Sequence, residues 1–186
     1  MKKLFVIANW MQGNGLSGGD RIFIELVKRW QLKLNITLFL SKEGSAICKR
    51  HELGDINQKV WASNFFSRWG YLVDILYRTL NSIINAFSVK TVAGDIIFSS
   101  SDFWPDSFPA LILKKRNPKI TWIAGFYLFA PKPWQKNSPY RGKNFLTGFL
   151  YWIGQLPAYY IIRKYADIVF VTSQPDVDRF ITHIRS

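Results

Sequence analysis

The sequence predicts a doubly wound α/β domain, in which helices cover both faces of a parallel sheet. Apolar runs of strand length alternate with helix-forming segments along the chain, and this alternation is typical of parallel strands joined by helical crossovers. A glycine-rich turn separates the first apolar run from the first helical segment. With 186 residues, of which 48% are hydrophobic, the chain is long enough for one domain with a sizeable core.

Six strands and five helices are expected from this pattern. The strands are short apolar runs at 4–8, 36–40, 60–62, 96–98, 120–124 and 168–171. Helices are expected at 22–30 and 69–87, where apolar residues recur at three- and four-residue spacings. Further helices are expected at 110–115 after several helix-capping residues, in the very apolar segment 145–163, and in a short final segment capped by Ser173.

Two of the helical segments have unusual sequences. Segment 69–87 combines an apolar stripe with a polar one that includes Arg78, which predicts an amphipathic helix. Segment 145–162 has no charged residue, but Gln155 and Pro157 interrupt it. Because strands and helices alternate on both sides of it, we expect a buried helix, or one docked at a membrane interface, rather than a transmembrane span.

The glycine-rich turn at residues 13–19 predicts an anion-binding site. It places backbone N–H groups and a helix N-terminus at one point, and glycines let a large anion approach the backbone. We therefore expect Gly18 and Gly19 to face a phosphate group, with Asp20 and Arg21 contacting that phosphate or a second substrate. The alternatives are close helix–strand packing for the glycines and dipole complementation for Asp20.

Three of these glycines also have the spacing of the dinucleotide-binding fingerprint. In that fingerprint the first glycine lies at the end of the first strand, whereas here four residues intervene before Gly13. Glu43 also comes late for the acidic residue that contacts a ribose. A nicotinamide or flavin cofactor is therefore not expected.

The chain has a formal charge of +13, and 17% of its residues are aromatic. Both features are typical of proteins that bind anionic membrane surfaces, phosphorylated ligands or single-stranded nucleic acid. Nucleic acid is the weaker prediction, because the aromatic residues mostly fall on core stripes. A basic protein with no anionic partner is the remaining alternative.

Cysteine and histidine are scarce. Cys48 is the only cysteine, so no intrachain disulfide can form, and the chain begins with no cleavable signal peptide. We therefore expect a cytoplasmic protein. Neither His51 nor His183 has metal-ligand spacing, so neither a metal site nor a resident cofactor is expected.

The unusual loops of this chain all follow strands and should line one edge of the sheet: 10–19, 99–106, 125–144 and 172–175. Asp102 and Asp106 could orient a substrate hydroxyl at that edge, or cap the following helix. A basic and aromatic set in the third loop could grip a phospholipid or a polyisoprenyl phosphate, or could form a solvated loop: Lys132, Trp134, Lys136 and Arg141.

Three segments resemble a known family in the same order: GLSGGDR at 15–21, DIIFSSSDFWPD at 95–106 and YADIVFVTS at 165–173. They are similar to the N-terminal half of the retaining glycosyltransferases of family 4, whose GT-B fold has two Rossmann-like domains. The resemblance covers nearly the whole chain. It implies that residues 1–186 form the acceptor-binding domain of a longer enzyme, with the donor-binding domain beyond Ser186.

The resemblance implies sugar transfer, with retention, from a nucleotide-sugar donor to a lipid-linked or glycan acceptor. The protein would be peripheral at the inner face of the membrane, and this domain alone would be inactive. Gly18 and Gly19 would face the donor diphosphate, and the other candidates would lie on the acceptor side. Ala124 stands where many members have a histidine, and no catalytic residue is assigned. The alternative is a stand-alone binding module for a nucleotide, an anionic lipid or nucleic acid.

Overall fold

The computed structural model describes residues 2–13, 15–63 and 69–181, in which six parallel strands form a sheet. The strands are β1 (Lys3–Ala8), β2 (Asn35–Ser41), β3 (Asn57–Ala62), β4 (Ile96–Ser99), β5 (Thr121–Gly125) and β6 (Ile168–Phe170). Their order across the sheet is β3-β2-β1-β4-β5-β6. This confirms the doubly wound α/β fold. The strand order reverses between β1 and β4, the point at which such sheets bind their ligands.

Helices cover both faces of the sheet. They are α1 (Gly18–Trp30), α2 (Lys42–Arg50), α3 (Tyr71–Ser88), α4 (Trp104–Arg116), α5 (Phe145–Tyr165) and α6 (Gln174–Ile181), and a short 3₁₀ turn at Gly142–Asn144 precedes α5. α1 and α2 pack on one face. α3, α4 and α5 pack on the other, where Phe180 of α6 joins them.

The central strand β1 is buried on both sides because its side chains alternate between the two faces. Leu4, Val6 and Ala8 belong to the core beneath α1 and α2, whereas Phe5 and Ile7 belong to the core beneath α3, α4 and α5. Packing on both faces of the sheet therefore fixes the end of β1, from which the glycine-rich turn starts.

α2 is absent from the sequence-based prediction, which ends β2 in a loop. The helix was hard to detect because its buried apolar side chains are few, Ile47 and Cys48. Ser41 both ends the strand and caps the helix. Its Oγ accepts a hydrogen bond from the backbone N–H of Gly44 at 2.9 Å and donates one to the carbonyl of Met11 at 2.7 Å.

α4 begins at Trp104, six residues before the predicted start at residue 110. Proline is well tolerated in the first helical turn, so Pro105 does not delay the helix. Pro109 lies inside the helix and cannot donate to the carbonyl of Pro105. That carbonyl instead faces the side-chain amide of Asn9, with Nδ2 at 3.5 Å.

α3 is amphipathic, as predicted, but it is turned the opposite way from an ordinary surface helix. Such helices usually bury their apolar stripe. In α3 the buried side includes Asp74, Arg78, Thr79 and Ser82 together with Ile75, and most of the large apolar side chains lie on the exposed side.

α5 spans 21 residues and continues through Pro157. Its buried residues include Gln155, and the carbonyl of Gly154 accepts a hydrogen bond from Nε1 of Trp104 at 2.7 Å. Within the described ranges, none of the helices combines the length and the apolarity needed to cross a bilayer.

Candidate functional site

A polar cleft of about 150 Å³ lies at the carboxyl edge of the sheet, where the strand order reverses. Three of the loops expected at this edge line it, namely those that follow β1, β4 and β5. The loop after β6 adjoins them, because Oγ1 of Thr172 donates to the carbonyl of Tyr127. The prediction that these loops meet at one edge is therefore confirmed.

The N-terminus of α1 forms one wall of the cleft. Ser17 and Asp20 cap the helix reciprocally, with Asp20 N–H donating to Oγ of Ser17 at 3.1 Å and Ser17 N–H donating to Oδ2 of Asp20 at 2.9 Å. Gly18 and Gly19 occupy the first two helical positions, whose N–H groups have no acceptor within a helix. Asp20 thus serves α1 itself, and no acceptor among the described residues engages the N–H groups of Gly18 and Gly19.

Asp106 holds the end of β1 in place. Its Oδ1 accepts the backbone N–H groups of Asn9 at 2.6 Å and Trp10 at 3.2 Å. Its Oδ2 accepts the hydroxyls of Ser100 and Ser101. Burial raises the pKa of Asp106 to about 7, and these four donors oppose that shift. Asp106 lines the cleft as expected, but both of its oxygens are engaged by the chain's own groups.

Asp102 is held by Gln155 of α5. The Nε2 group of Gln155 donates to Oδ2 of Asp102 at 2.8 Å and to the carbonyl of Leu128 at 2.8 Å. Its Oε1 accepts the backbone N–H of Ala130, also at 2.8 Å. Burial raises the pKa of Asp102 to about 6, and the hydrogen bond from Gln155 acts against that shift. Gln155 therefore joins α5 to the loops after β4 and β5.

Tyr127 has a buried hydroxyl with no hydrogen-bond partner among the residues that the structure describes. Burial raises the pKa of this phenol, and the nearby carboxylates of Asp106 and Asp102 raise it further. The ring passes close to Gly19, where an added Cβ would lie 3.0 Å from Cδ2 of Tyr127. A buried hydroxyl in this position would be satisfied by a polar group of a ligand in the cleft.

Two apolar cavities of about 660 Å³ and 180 Å³ open beside the polar cleft. Phe103 and Tyr151 line both cavities and the cleft. The rings form a stack, with centroids 5.0 Å apart between Trp10 and Phe103 and 6.4 Å apart between Phe103 and Tyr151. Leucine side chains of α3 and α5 complete the walls. A polar site and an apolar site thus share one aromatic wall.

A buried ionic network lies beneath the loop after β1. Nε of Arg78 is 3.0 Å from Oδ2 of Asp74, and one terminal nitrogen is 3.2 Å from Oε1 of Glu43. The other donates to the carbonyl of Asn9 at 3.1 Å, and Gln12 donates to Asp74 at 2.9 Å. The network ties β1, α2 and α3 together, and it engages Glu43 in an ion pair.

The loop after β5 lines the cleft through Tyr127 and Leu128, whereas its predicted basic and aromatic set contributes none of the lining residues: Lys132, Trp134, Lys136 and Arg141. Lys132 lines a separate cavity of about 620 Å³ between the loop after β5, α5 and α6. Ala124 is fully buried at the end of β5 and offers no group for chemistry. The remaining candidates are exposed on the surface: Gly18, Arg21, Trp134, Lys136 and Arg141.

Several residues of the site were missed by the sequence-based reasoning. Tyr127 follows β5 within the long loop, where nothing in the sequence distinguishes it from neighbouring aromatic residues. Gln155 did carry a signal, because it is a single polar residue in an uncharged apolar run. Trp10 and Phe103 each come shortly after the end of a strand, and this position was the only signal in the sequence that they lie at the ligand-binding edge of the sheet.

The described residues contain no group of three or more histidine, cysteine, aspartate or glutamate side chains arranged to hold a metal ion. Comparisons with protein-family models, with curated proteins and with solved structures find no match to this chain.

Proposed function

We propose that this chain is the acceptor-binding domain of a glycosyltransferase that moves a sugar from a nucleotide-sugar donor to a lipid-linked acceptor. The observation that carries this proposal is the polar cleft at the N-terminus of α1, which shares its aromatic wall with two apolar cavities. An amphiphilic acceptor would fit this arrangement, with its polar end in the cleft and its apolar part along the rings.

The donor diphosphate would lie against the start of α1. The N–H groups of Gly18 and Gly19 and the helix dipole favour an anion there. The same groups would stabilise the negative charge that develops on the leaving diphosphate during transfer. The buried hydroxyl of Tyr127 would donate to an oxygen of either substrate.

The acceptor would lie between the two kinds of pocket. Asp102 lines both the polar cleft and the smaller apolar cavity, so its carboxyl group stands where the polar and apolar parts of an acceptor would meet. Asp102 is fixed by Gln155, and we assign it the orientation of the acceptor head group. No residue of the described chain is assigned the chemistry of glycosidic bond formation.

The direct test is sugar transfer by the full-length gene product. The protein is incubated with nucleoside diphosphate sugars labelled in the sugar and with a polyisoprenyl phosphate. We expect label to enter the organic phase. Label transferred to a soluble oligosaccharide would instead make the acceptor a glycan, and no transfer to either class would overturn the proposal.

A binding experiment tests the amphiphilic site separately. Geranyl monophosphate is titrated against the 186-residue chain while tryptophan fluorescence is followed, because Trp10 lines the site. Leu150→Asp places a charge in both apolar cavities and should weaken binding about tenfold or more. Leu146→Asp is the matched control on the same helix, because Leu146 is 68% exposed and should leave binding unchanged.

Gly18→Ala tests the diphosphate side. A Cβ at Gly18 meets no atom of the protein within 4 Å, so the substitution leaves the free chain undisturbed. A ligand that approaches this backbone closely would meet the added methyl group. We expect weaker binding of uridine diphosphate, measured by calorimetry, with geranyl monophosphate binding retained.

A binding module without catalysis is the second candidate. It is favoured by the hydrogen bonding of the two cleft carboxylates, Asp102 and Asp106, which are both engaged by the chain itself. Ligand binding by the whole gene product without any sugar transfer would support this candidate over the first.

A further inference from the structure

α3 exposes a continuous apolar stripe. Six of its large apolar side chains are 41% to 67% exposed and recur at three- and four-residue spacings along one side: Leu72, Val73, Leu76, Leu80, Ile84 and Phe87. The stripe is about 22 Å long at 1.5 Å per residue. Contiguous apolar surface of this kind marks an interaction site in soluble proteins.

α5 extends this surface. Leu146, Leu150 and Ile153 are between 37% and 68% exposed. The two helices meet where Leu76 of α3 and Leu150 of α5 line the same cavity. The exposed apolar residues of α3 and α5 therefore form one surface, which we call the α3–α5 face.

The exposed charged residues on the helices that form and flank the α3–α5 face are basic. α3, α4 and α5 are described in full and contain two acidic residues, Asp74 and Asp106, both of which are buried. Exposed basic residues lie at the ends of the helices: Arg141 and Lys143 before α5, Lys115 and Arg116 at the end of α4, and Lys164 at the end of α5. The guanidinium of Arg116 lies 5.7 Å from the ring centroid of Phe87, at the edge of the stripe.

We propose that the α3–α5 face docks on an anionic lipid bilayer. A bilayer supplies an apolar interior for the leucine and isoleucine side chains and a plane of negative charge for the basic ends of the helices. The docking stands without the proposed sugar transfer. If that proposal also holds, the cavity between Leu72 and Leu150 opens on the docked face and would admit a lipid-linked acceptor from the membrane.

Vesicle binding tests this proposal. The 186-residue chain is mixed with vesicles of phosphatidylcholine containing about 30% phosphatidylglycerol, and bound protein is measured by sedimentation. We expect binding that weakens as sodium chloride increases. Leu80→Glu combined with Ile84→Glu should weaken binding at least about tenfold, because both changes place a charge within the exposed apolar stripe. Neither residue lines the polar cleft or the two apolar cavities beside it. Leu32→Glu is the control, because Leu32 is 83% exposed in the turn after α1, a helix that packs on the opposite face of the sheet.

A fluorescent label can place the contact on the chain. Cys48 is fully buried, and burial raises the pKa of its thiol to about 12, so an added exposed cysteine is labelled selectively. An environment-sensitive dye on Ile84→Cys should shift to the blue when anionic vesicles are added. The same dye on Leu32→Cys should not shift.

Three results would overturn the proposal. The first is no binding of the unaltered chain to the anionic vesicles at low salt. The second is equal binding by the unaltered chain and the Leu80→Glu, Ile84→Glu variant. The third is self-association of the unaltered chain that this variant abolishes, without vesicle binding, because the α3–α5 face would then be an interface between two copies.

Discussion

The ring of Tyr127 lies between two glycines, and this contact fixes one wall of the cleft. An added Cβ at Gly19 would lie 3.0 Å from Cδ2 of the ring. An added Cβ at Gly125 would lie 2.7 Å from the hydroxyl oxygen of Tyr127 and 2.7 Å from the carbonyl oxygen of Ser100. Because one of these neighbours is backbone, β5 itself has to move to accept a side chain at Gly125.

Gly125→Ala should therefore destabilise the fold by about 1–3 kcal/mol, the usual cost of overpacking. Gly18→Ala is the matched control at the N-terminus of α1, since its Cβ would meet open space, and it should change the free energy of unfolding by less than about 0.5 kcal/mol. Urea denaturation of the two variants measures both values. Equal free energies of unfolding for the two variants would show that the groups around Gly125 move aside at little cost.

The two buried carboxyl groups of the cleft predict a dependence of stability on pH. Burial raises the pKa of Asp102 from 3.8 to about 6, so between these values the folded state binds a proton that the unfolded state has released. This contribution to stability is fully present below about pH 4 and is lost as the pH rises through about 6.

Asp102→Asn should reduce the loss of stability between pH 4 and pH 7, measured as the free energy of unfolding, by an amount on the order of 1–2 kcal/mol. The asparagine oxygen can still accept the hydrogen bond from Gln155, so the packing is retained. Stability is measured by urea denaturation from pH 4 to pH 7, and Asp55→Asn, at an exposed position, controls for the change in net charge. If the variant instead loses the same stability at every pH, the carboxyl group acts only as a buried hydrogen-bond acceptor, and its protonation does not contribute to stability.

At the scale of elements, α3 is held by charge rather than by its apolar stripe. Arg78 is fully buried and pairs with Asp74 and Glu43, whose side chains are 4% and 18% exposed. Removing one member of a buried ion pair leaves an uncompensated charge in the interior. The position of α3, and of its Tyr71 ring, whose centroid lies 5.6 Å from that of Trp10, thus depends in part on this guanidinium.

Arg78→Met should destabilise the protein by about 3–5 kcal/mol, because the buried carboxylate of Asp74 and the partly buried one of Glu43 lose their partner. Lys28→Met removes an ion pair whose side chains are 30% and 86% exposed, and should cost at most about 1 kcal/mol. A triple variant, in which Asp74→Asn and Glu43→Gln accompany Arg78→Met, should recover part of the loss. Denaturation midpoints that show no recovery would mean that the arginine acts mainly by packing.

The sequence was sufficient for the fold but only partly sufficient for the site. The strands follow from short apolar runs, and five of the six helices were predicted, α1 and α3 from apolar periodicity. Periodicity cannot show which side of α3 faces the core, because that choice depends on whether partners for Asp74 and Arg78 exist elsewhere in the fold. Gln155 joins α5 to loops some 25 and 53 residues away in the chain, and such long-range hydrogen bonds leave no local pattern.

At the scale of the whole molecule, positive charge is concentrated on the surface. The chain has 25 basic and 12 acidic residues. Four of the acidic residues are buried, whereas Arg78 is the basic residue among the buried side chains of the described ranges. The exposed charge is therefore more positive than the formal value of +13. Such an excess weakens the compact state through self-repulsion, and an anionic partner would offset it.

The folded chain should accordingly become more stable as sodium chloride increases from about 20 mM to about 300 mM. Screening shortens the range of repulsion between exposed charges to about 10 Å or less, and we expect a gain on the order of 1 kcal/mol in the free energy of unfolding. Urea is the denaturant, because guanidinium would itself screen the charges. Sodium bromide should give the same gain if screening is the cause. A fall in stability with salt would instead mean that the surface ion pairs outweigh the repulsion, and the positive surface would then require no anionic partner to explain it.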